Sequence, residues 1–370
     1  MTRNPRPGIG FGASACCLLF GLLSFAAPAN AQTTLTVSNY GVDNSNCGAA
    51  TSPCRSISQA ITNAPLGAQI VVGPGRYGDL NGDGAFGGEG EEQGSRESCL
   101  CVVNINKRVT VISRDGALQT VIDGSGSTWA VVSITARAAV LGSSQHGFTI
   151  TGSTQVGGVV VTADRSAYIV GNIIRDNAGS PGIELQAGTG HQIFANTVTH
   201  NAHGIVVLSS TSQISGNYVS ESSNVGIFVD GTRNMLENNV VFNNLYGFQV
   251  TGVGHLVRRN SIIGNHLGGI TVNAVSESPG ETRDIQILNN NIYGNSTRFD
   301  AASSNCPLTK GGIPGVRLDA RNNFWGSASG PGADPADAAC NLDTDGQLIT
   351  TPFVTAEVPI KAGATPPNQP

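Results

Sequence analysis

Residues 226–247 read GIFVDGTRNMLENNVVFNNLYG, which is three short β-type stretches separated by turn residues. The stretches are Gly226-Ile227-Phe228-Val229, Met235-Leu236 and Val240-Val241. Side chains alternate along a strand, so Ile227 and Val229 are predicted to point inward while Phe228 and Asp230 point outward. The segment has no helical stretch of the length that a leucine-rich repeat would need. It therefore predicts a unit made only of strands and turns.

The same unit recurs along the chain. A Gly followed by an apolar-x-apolar strand recurs in steps of 22, 22, 21 and 22 residues, at Gly182, Gly204, Gly226, Gly247 and Gly269. An Asn-x-apolar signal recurs in the same frame, at Asn172, Asn196, Asn217, Asn239, Asn260, Asn290 and Asn322. A third signal follows five residues later, at Asn177, Asn201, Asn244, Asn265 and Asn295, with Ser222 in the missing place. This period indicates a solenoid whose stacked coils lie about 4.8 Å apart, with asparagines that bond to their copies as ladders.

The composition fits a core of small and β-branched side chains. Of 370 residues, 49 are Gly, 39% are hydrophobic, 12% are charged and 5% are aromatic. Low charge and many aliphatic residues argue against intrinsic disorder. A net charge of -5 and a pI near 5.7 provide no basic surface for phosphate, so nucleic acid is not an expected partner.

The N-terminus has the features of an export signal. Two arginines precede an apolar run over about 15–27, and Ala29-Asn30-Ala31 gives the small-x-small pattern that a signal peptidase cuts. We expect residues 1–31 to be removed and the mature protein to be secreted or periplasmic. The run is shorter than the roughly 20 residues that cross a bilayer, so no membrane span is expected.

Six cysteines remain after the signal, which suggests disulfides in an oxidising compartment. The local pairs predicted are Cys47 with Cys54 and Cys306 with Cys340. Cys99 and Cys101 are too close to pair comfortably with each other, and their partners are left open. Zinc is the rival interpretation, but no Cys-x-x-Cys spacing supports it.

The two ends of the solenoid are predicted to be covered. Ser56-Ile57-Ser58-Gln59 is a capping-box pattern that opens a short helix to about Asn63, which would plug the first coil. Trp325 would cover the last coil, and a disordered tail is expected at 362–370. The predicted organisation is a signal peptide (1–31), an N-terminal cap with the first coils (32–108), the β-helix (109–330), and a C-terminal cap with a disordered tail (331–370).

The chain resembles exported bacterial right-handed parallel β-helix proteins of the pectin-lyase-like superfamily. The resemblance covers roughly 40–355 and is carried by the coils, the run Asn322-Asn323-Phe324-Trp325-Gly326 before Gly330-Pro331, and the pattern from Cys54 to Tyr77. It implies an all-β, single-stranded right-handed parallel β-helix with about 22 residues per coil. That superfamily includes polysaccharide lyases, hydrolases, uronate epimerases, phage tailspikes and adhesins, so the resemblance is specific for the fold and general for activity.

One row of turn residues is the candidate catalytic group. Four residues after successive ladder asparagines stand Asp176, His200 and Glu221, which would stack about 4.8 Å apart and could act as acid, base and orienting group. The alternative is an exposed row in which a histidine bridges two carboxylates. Arg175 lies beside Asp176, and the resemblance implies that a lyase base would be an Arg or a Lys.

Further side chains could bind a substrate around this row. The candidates are Arg175 itself, His203 and Tyr246 on the adjoining turn, and Glu184 and Asp230 on the flat outward face. Glu184 and Asp230 lie two coils apart, at least about 9.6 Å along the axis, which is too far for a glycosidase pair. The sequence has no Asp-Asp pair or Arg-Gly-His of polygalacturonases and no Asp-Pro-His of mannuronan epimerases.

One loop has the start of a calcium-binding sequence. Residues 79–84 read DLNGDG, so Asp79, Asn81 and Asp83 are candidate ligands together with Glu89, and the implied cofactor is Ca2+. The twelfth position is Gly90 instead of Glu, so an acidic surface insertion is the alternative. Residues 341–346, NLDTDG, repeat the pattern more weakly.

Three functions are consistent with these features. The first is an exported β-helix protein that binds a polysaccharide along its solenoid face, and this function includes the case in which the protein also processes the polysaccharide. The second is a uronate polysaccharide lyase or epimerase that uses the Asp176, His200 and Glu221 row. The third is a non-catalytic surface or periplasmic scaffold or adhesin, which the scarcity of aromatic rings for sugar stacking keeps open.

Overall fold

The computed structural model describes most of the chain after residue 31. The described residues are 32–81, 83, 85–94, 99–125, 127–274, 282–295, 306–361 and 363–364. The predicted signal peptide and the last residues of the predicted tail lie outside them. Within these ranges no helix is long and apolar enough to cross a membrane.

The described residues form one helix and many short strands. In chain order they are β1 (Thr34–Val37), α1 (Ile57–Asn63), β2 (Gln69–Val72), β3 (Gly75–Gly78), β4 (Cys101–Ile105), β5 (Thr110–Ser113), β6 (Thr120–Asp123), β7 (Ala130–Ile134), β8 (Val140–Leu141), β9 (Thr149–Thr151), β10 (Gly157–Val161), β11 (Tyr168–Val170), β12 (Ile173–Arg175), β13 (Pro181–Leu185), β14 (Gln192–Phe194), β15 (Thr197–Thr199), β16 (His203–Val207), β17 (Gln213–Ser215), β18 (Tyr218–Ser220), β19 (Val225–Val229), β20 (Met235–Glu237), β21 (Val240–Phe242), β22 (Tyr246–Val250), β23 (Leu256–Arg258), β24 (Ser261–Ile263), β25 (Gly268–Asn273), β26 (Gln286–Leu288), β27 (Asn291–Tyr293), β28 (Leu308–Gly311), β29 (Arg317–Asp319), β30 (Ala339–Asn341) and β31 (Gln347–Ile349).

The strands stack into three parallel sheets. Sheet 1 has 12 strands in the order β1-β2-β5-β8-β11-β14-β17-β20-β23-β26-β29-β31, sheet 2 has nine from β3 to β27, and sheet 3 has ten from β4 to β30. From β2 to β28 the chain visits sheet 1, then sheet 2, then sheet 3 in each coil. We call the turn from sheet 1 to sheet 2 the first corner, that from sheet 2 to sheet 3 the second, and that from sheet 3 to sheet 1 the third. This topology confirms the predicted parallel β-helix.

The recurring Gly frame corresponds to the register of sheet 3. Ile183 pairs with Ile205, Ile205 with Ile227, and Ile227 with Phe248, each on the next coil. All four side chains are fully buried, as is Val229. The interior is therefore a continuous stack of aliphatic rows, and burial of these rows is the main favourable contribution to folding.

Two asparagine ladders run inside the first and second corners. At the first corner the Oδ1 of each Asn accepts the backbone N–H of the preceding rung at 2.8–3.0 Å, from Asn172 to Asn323. The last rung was predicted at Asn322, but that prediction is wrong. Asn322 has a left-handed backbone with φ 58°, so it forms the bend and leaves Asn323 to bond inward.

The second ladder explains the glycine repeat. An added Cβ at Gly182, Gly226 or Gly247 would lie 2.8–2.9 Å from the amide nitrogen of the ladder asparagine on the next coil. These positions therefore require glycine because a side chain would collide with the ladder asparagine, and not because the backbone has a left-handed φ. The ladder is interrupted where Ser222 replaces an asparagine, and it ends on Asp337, whose Oδ2 accepts from Asn295 Nδ2 at 2.8 Å. The Oγ of Ser222 is buried without a partner among the described atoms.

The third corner contains a mixed ladder that the sequence analysis missed. The backbone N–H of Ala167 donates to His191 Nδ1, that of His191 to Ser212 Oγ, and that of Ser212 to Asn234 Oδ1. The N–H of Asn234 then donates to His255 Nδ1 at 3.1 Å. Burial lowers the pKa of His191 and lowers that of His255 to about 4, so both rings are neutral acceptors.

Both ends of the solenoid are covered. At the start, α1 is capped by Ser56, whose Oγ accepts from Gln59 N, and by the buried Glu92, which accepts from the N–H groups of Ile57 and Ser58. At the other end Trp325 is fully buried. This agrees with the predicted capping helix.

The described part of the C-terminal segment packs along the coils. Val358 exchanges two hydrogen bonds with the Asn291 side chain, and Gly363 and Ala364 both donate to the Gly216 carbonyl. The described residues of this segment therefore lie against several coils, and of the predicted tail only Gly363 and Ala364 are among them.

The described residues contain three disulfides. Cys47 bonds to Cys54 and Cys306 to Cys340, as the local spacing predicted. Cys99 bonds to Cys101, against the expectation that they are too close. The expectation assumed one strand, but β4 begins at Cys101, and the chain before it turns so that the two side chains meet with Cα atoms 5.3 Å apart.

Candidate functional site

The second corner carries the predicted catalytic row. Asp176, His200 and Glu221 have left-handed backbones with φ of 57°, 53° and 56°, and each follows a strand of sheet 2. Because all three take the same place in successive coils, their side chains leave the solenoid in the same direction. Arg175 and Thr199 are paired in the register of sheet 2, as are Thr199 and Ser220, which fixes the stacking of the row.

His200 and Glu221 form an exposed pair. His200 Nε2 lies 2.5 Å from Glu221 Oε2, with 60% and 26% of the two side chains exposed. Both groups are reachable from solvent, so a substrate could contact them. The pair has the composition of a general base held by a carboxylate.

Hydroxyl groups extend this pair into a network. Thr199 Oγ1 lies 3.0 Å from His200 Nδ1 and 3.1 Å from Ser220 Oγ. Tyr218 hydrogen-bonds to Ser220, and burial raises the pKa of Tyr218. The sequence analysis missed these residues, although their strand positions, one or three residues before the row, could have been read from the repeat.

Asp176 does not join the pair. Its Oδ2 lies 3.2 Å from Arg175 Nη1, and half of each of these two side chains is exposed. The row therefore separates into an Arg175–Asp176 contact on one coil and a His200–Glu221 contact across the next two. The structure thus brings two of the three predicted catalytic residues together.

Apart from Arg175, which ends β12 of sheet 2, the predicted substrate-binding residues lie on sheet 3 or at the corner that follows it. His203 and Tyr246 begin β16 and β22, two coils apart, and burial lowers the pKa of His203. Glu184 is in the middle of β13, where it accepts a hydrogen bond from Gln186 at 3.2 Å. Asp230 follows β19 at the third corner. These residues are spread along the face and do not form one compact cluster.

The predicted calcium loop does not gather its carboxylates. Asn81 Oδ1 accepts from Asp83 N, and Asp83 Oδ1 accepts from Ala85 N, both at 2.8 Å. Among the described residues, the only group of three potential ligands consists of Asp43, Cys47 and Cys54. Those two cysteines are joined in a disulfide. The calcium site at Asp79, Asn81, Asp83 and Glu89 stays a prediction.

The weaker loop at residues 341–346 surrounds an ammonium group instead. Lys310 takes the inward position that Val272 has one coil earlier, and it is fully buried. Its Nζ donates to Ile313 O and Asn341 Oδ1, both at 3.2 Å, and to Asp343 Oδ2 at 2.5 Å. All three ammonium protons have acceptors, so the lysine supplies the positive charge of this loop. Its burial also removes Lys310 from the candidates for a lyase base.

Glu237 is held by two arginines on the outward face of sheet 1. It pairs in register with Arg258 on the next coil, with 3.0 Å between Arg258 Nη2 and Glu237 Oε2. Arg259 Nη1 lies 3.5 Å from the other oxygen. This group is engaged in ion pairs and offers no free carboxylate.

Comparison with known proteins supports the fold. Residues 157–313 match the family model of the right handed beta helix region. A search of curated proteins finds no match. Among solved structures, the pectate lyase Pel9A aligns with a TM-score of 0.59 at 15% identity, over 88% of this chain and 83% of that chain. An alginate lyase from Paenibacillus sp. str. FPU-7 aligns with a TM-score of 0.53 at 14% identity, over 87% and 99%.

At these identities the likeness is one of fold. It confirms the predicted right-handed parallel β-helix.

Proposed function

Starting from the right-handed parallel β-helix, we propose that this protein is exported and binds a polysaccharide along the outside of its solenoid. The polysaccharide is acidic or neutral and runs parallel to the solenoid axis. Binding along the axis lets a polymer with a regular repeat meet a protein surface with a regular repeat.

One observation carries this proposal. The central outward positions of sheet 3 form a continuous row in strict lateral register: Glu184, Val206, Phe228, Gln249 and Thr271. Neighbouring members are about 4.8 Å apart because they lie on hydrogen-bonded strands. The row offers a carboxylate, an amide and a hydroxyl for sugar hydroxyls, and one aromatic ring for a sugar face.

The names of the structural neighbours agree with this choice of ligand. One is a pectate lyase and the other an alginate lyase, so both are named for action on a polysaccharide. The shared fold gives this chain the same kind of long, flat side.

The test is calorimetry of the mature protein with pectate, alginate and neutral glycans. Phe228→Ala, on the proposed face, is expected to weaken binding about tenfold, since a ring contact and its buried area are lost. Phe194→Ala is the matched control, because Phe194 points outward from sheet 1. Equal loss in both variants, or no binding of any glycan to the wild type, would contradict the proposal and favour a scaffold.

A second candidate function is a uronate lyase or epimerase, and the His200–Glu221 pair favours it. In either reaction a base removes the proton on the carbon next to the uronate carboxylate. His200 would take that proton, Glu221 would stabilise the imidazolium, and Arg175 would neutralise the carboxylate of the sugar. In a lyase the electron pair then forms a double bond as the glycosidic oxygen leaves. In an epimerase a proton returns on the opposite face.

Absorbance of unsaturated products reports the lyase, and proton exchange at the same carbon reports the epimerase. His200→Ala is expected to abolish either signal. His266→Ala is the control, since His266 is exposed on a turn several coils away. An unimpaired His200→Ala variant would exclude the pair from catalysis, and no signal in the wild type would leave the binding function alone.

A further inference from the structure

The third corner contains a notch between two arginines. Thr232, Val253 and Arg283 bridge from coil to coil as one row. The row beside it consists of Arg233, Gly254 and Asp284, all with left-handed backbones. Because Gly254 has no side chain, the middle coil is open between the charged side chains of Arg233 and Asp284. A cavity of about 710 Å³ lies at this place and is lined by these six residues.

Arg233 reaches across this notch. A Cβ on Gly254 would lie 3.3 Å from Arg233 Cγ, so the stem of the arginine passes over the glycine toward the next coil. Arg233 is exposed and makes no side-chain hydrogen bond or ion pair with the described residues. Its five N–H donors are therefore available to a ligand.

The other charges around the notch are already balanced. Arg283 Nη1 lies 3.0 Å from Asp284 Oδ2 on its own turn. Thr232 Oγ1 donates to Ser210 Oγ at 3.0 Å, which directs that hydroxyl toward the preceding coil. Among the residues that the structure describes around the notch, Arg233 is thus the one cation without a partner, and a single negative charge would complement it.

We propose that this notch binds the anionic group of an acidic glycan, a carboxylate or a sulfate ester, through the Arg233 guanidinium. A planar guanidinium bonds such a group with two parallel N–H donors. The cavity has the size of an ordinary small-ligand site and is large enough for a sugar unit. This inference rests on the proposed function and specifies it: the polysaccharide is anionic, and the third corner is one edge of its binding surface.

The test is the binding of three polymers to wild type and variants: polygalacturonate, dextran sulfate and unmodified dextran. Arg233→Gln is expected to weaken binding of the anionic polymer about tenfold, since one charge-assisted contact is lost. The loss should shrink as salt is added, because exposed charges are screened. Arg317→Gln is the matched control, since Arg317 is an exposed arginine on sheet 1. Preference for polygalacturonate assigns a carboxylate, and preference for dextran sulfate assigns a sulfate ester.

The results distinguish a notch that does not bind anions from a protein that does not bind polysaccharides. If dextran binds as well as the charged polymers, or if Arg233→Gln and Arg317→Gln bind like wild type, the notch is not an anion site, although the protein still binds glycans. If none of the three polymers binds to wild type, both proposals fall.

Discussion

At the scale of single residues, buried ionisable groups determine how the protein responds to pH. The ladder asparagines are neutral and satisfied in pairs, so they are insensitive to pH. Asp337 ends the second-corner ladder and His255 is a rung of the third-corner ladder, and both can change charge inside the solenoid. They respond in opposite directions, because burial disfavours the charged form of each.

Asp337→Asn is expected to stabilise the protein at alkaline pH. Burial raises the pKa of Asp337 from 3.8 to about 6. The stability that its protonated form contributes is fully present below about pH 4 and is lost as the pH rises through about 6. The asparagine keeps the neutral form at every pH, so the gain should approach about 3 kcal/mol at pH 8 and vanish at pH 4. Urea unfolding at both pH values measures it, and an equal effect at both would contradict the explanation.

His255→Asn is expected to reduce acid sensitivity. The pKa of His255 is lowered from 6.5 to about 4, so its contribution to stability is complete above pH 6.5 and is lost as the pH falls toward 4. Asn234 holds the adjacent rung, so an asparagine can supply the same acceptor. The free energy of unfolding that wild type loses between pH 7.5 and 4.5 should be smaller by about 2–3 kcal/mol in the variant. Unchanged acid sensitivity would show that His255 is not the responsible group.

At the scale of structural elements, the ladders hold neighbouring coils together, and the second ladder has a gap at Ser222. This gap lies between the two coils that carry His200 and Glu221. On the outside of the same junction, the His200–Glu221 contact and the Thr199–Ser220 hydrogen bond link the coils. The His200–Glu221 pair therefore lies at the junction between coils where the second-corner ladder lacks an asparagine.

Ser222→Asn is expected to complete the ladder. Gly204 provides the space, because its added Cβ would meet Ser222 Oγ at 3.2 Å in the way that other glycines meet ladder asparagines. One added buried hydrogen bond contributes about 1 kcal/mol to the free energy of unfolding. Ser223→Asn, at the exposed neighbouring position, is the control. A Ser222→Asn variant less stable than wild type would show that the gap is required for packing.

Lys310→Met tests the ammonium-filled loop at the C-terminal cap. Removal of the ammonium leaves Asp343 without its partner, and breaking such a buried pair typically costs about 3–5 kcal/mol. The double variant Lys310→Met/Asp343→Asn should recover most of this loss, since no charge is then left unpaired. Thermal unfolding compares the two, and equal stability of both with wild type would contradict the role of the pair.

At the scale of the whole molecule, the repeat made the fold predictable, but it did not predict several residues of the candidate site. The recurring glycines and asparagines predicted which residues pair between neighbouring coils, because each of them makes the same contact in successive coils. The third-corner ladder was hidden because His191, Ser212, Asn234 and His255 differ in residue type. Lys310 occupies an aliphatic position and is explained only by the loop that folds around it.

The candidate catalytic row was also predicted only in part. The row of Asp176, His200 and Glu221 followed from counting residues along the repeat. Which members would pair depended on side-chain directions, and Asp176 turned to the adjacent Arg175. The Thr199 and Tyr218 hydroxyls were not predicted because threonine and tyrosine are common in strands and give no signal of a polar network.

The central claim is that a glycan lies along the solenoid axis, and its most direct test is the length dependence of binding. Calorimetry with oligogalacturonates from the disaccharide upward measures the affinity for each length. A ligand that follows successive coils should gain affinity with every added sugar over several units before it levels off. A disaccharide that binds as tightly as the long oligomers, or an absence of binding at every length, would contradict the account.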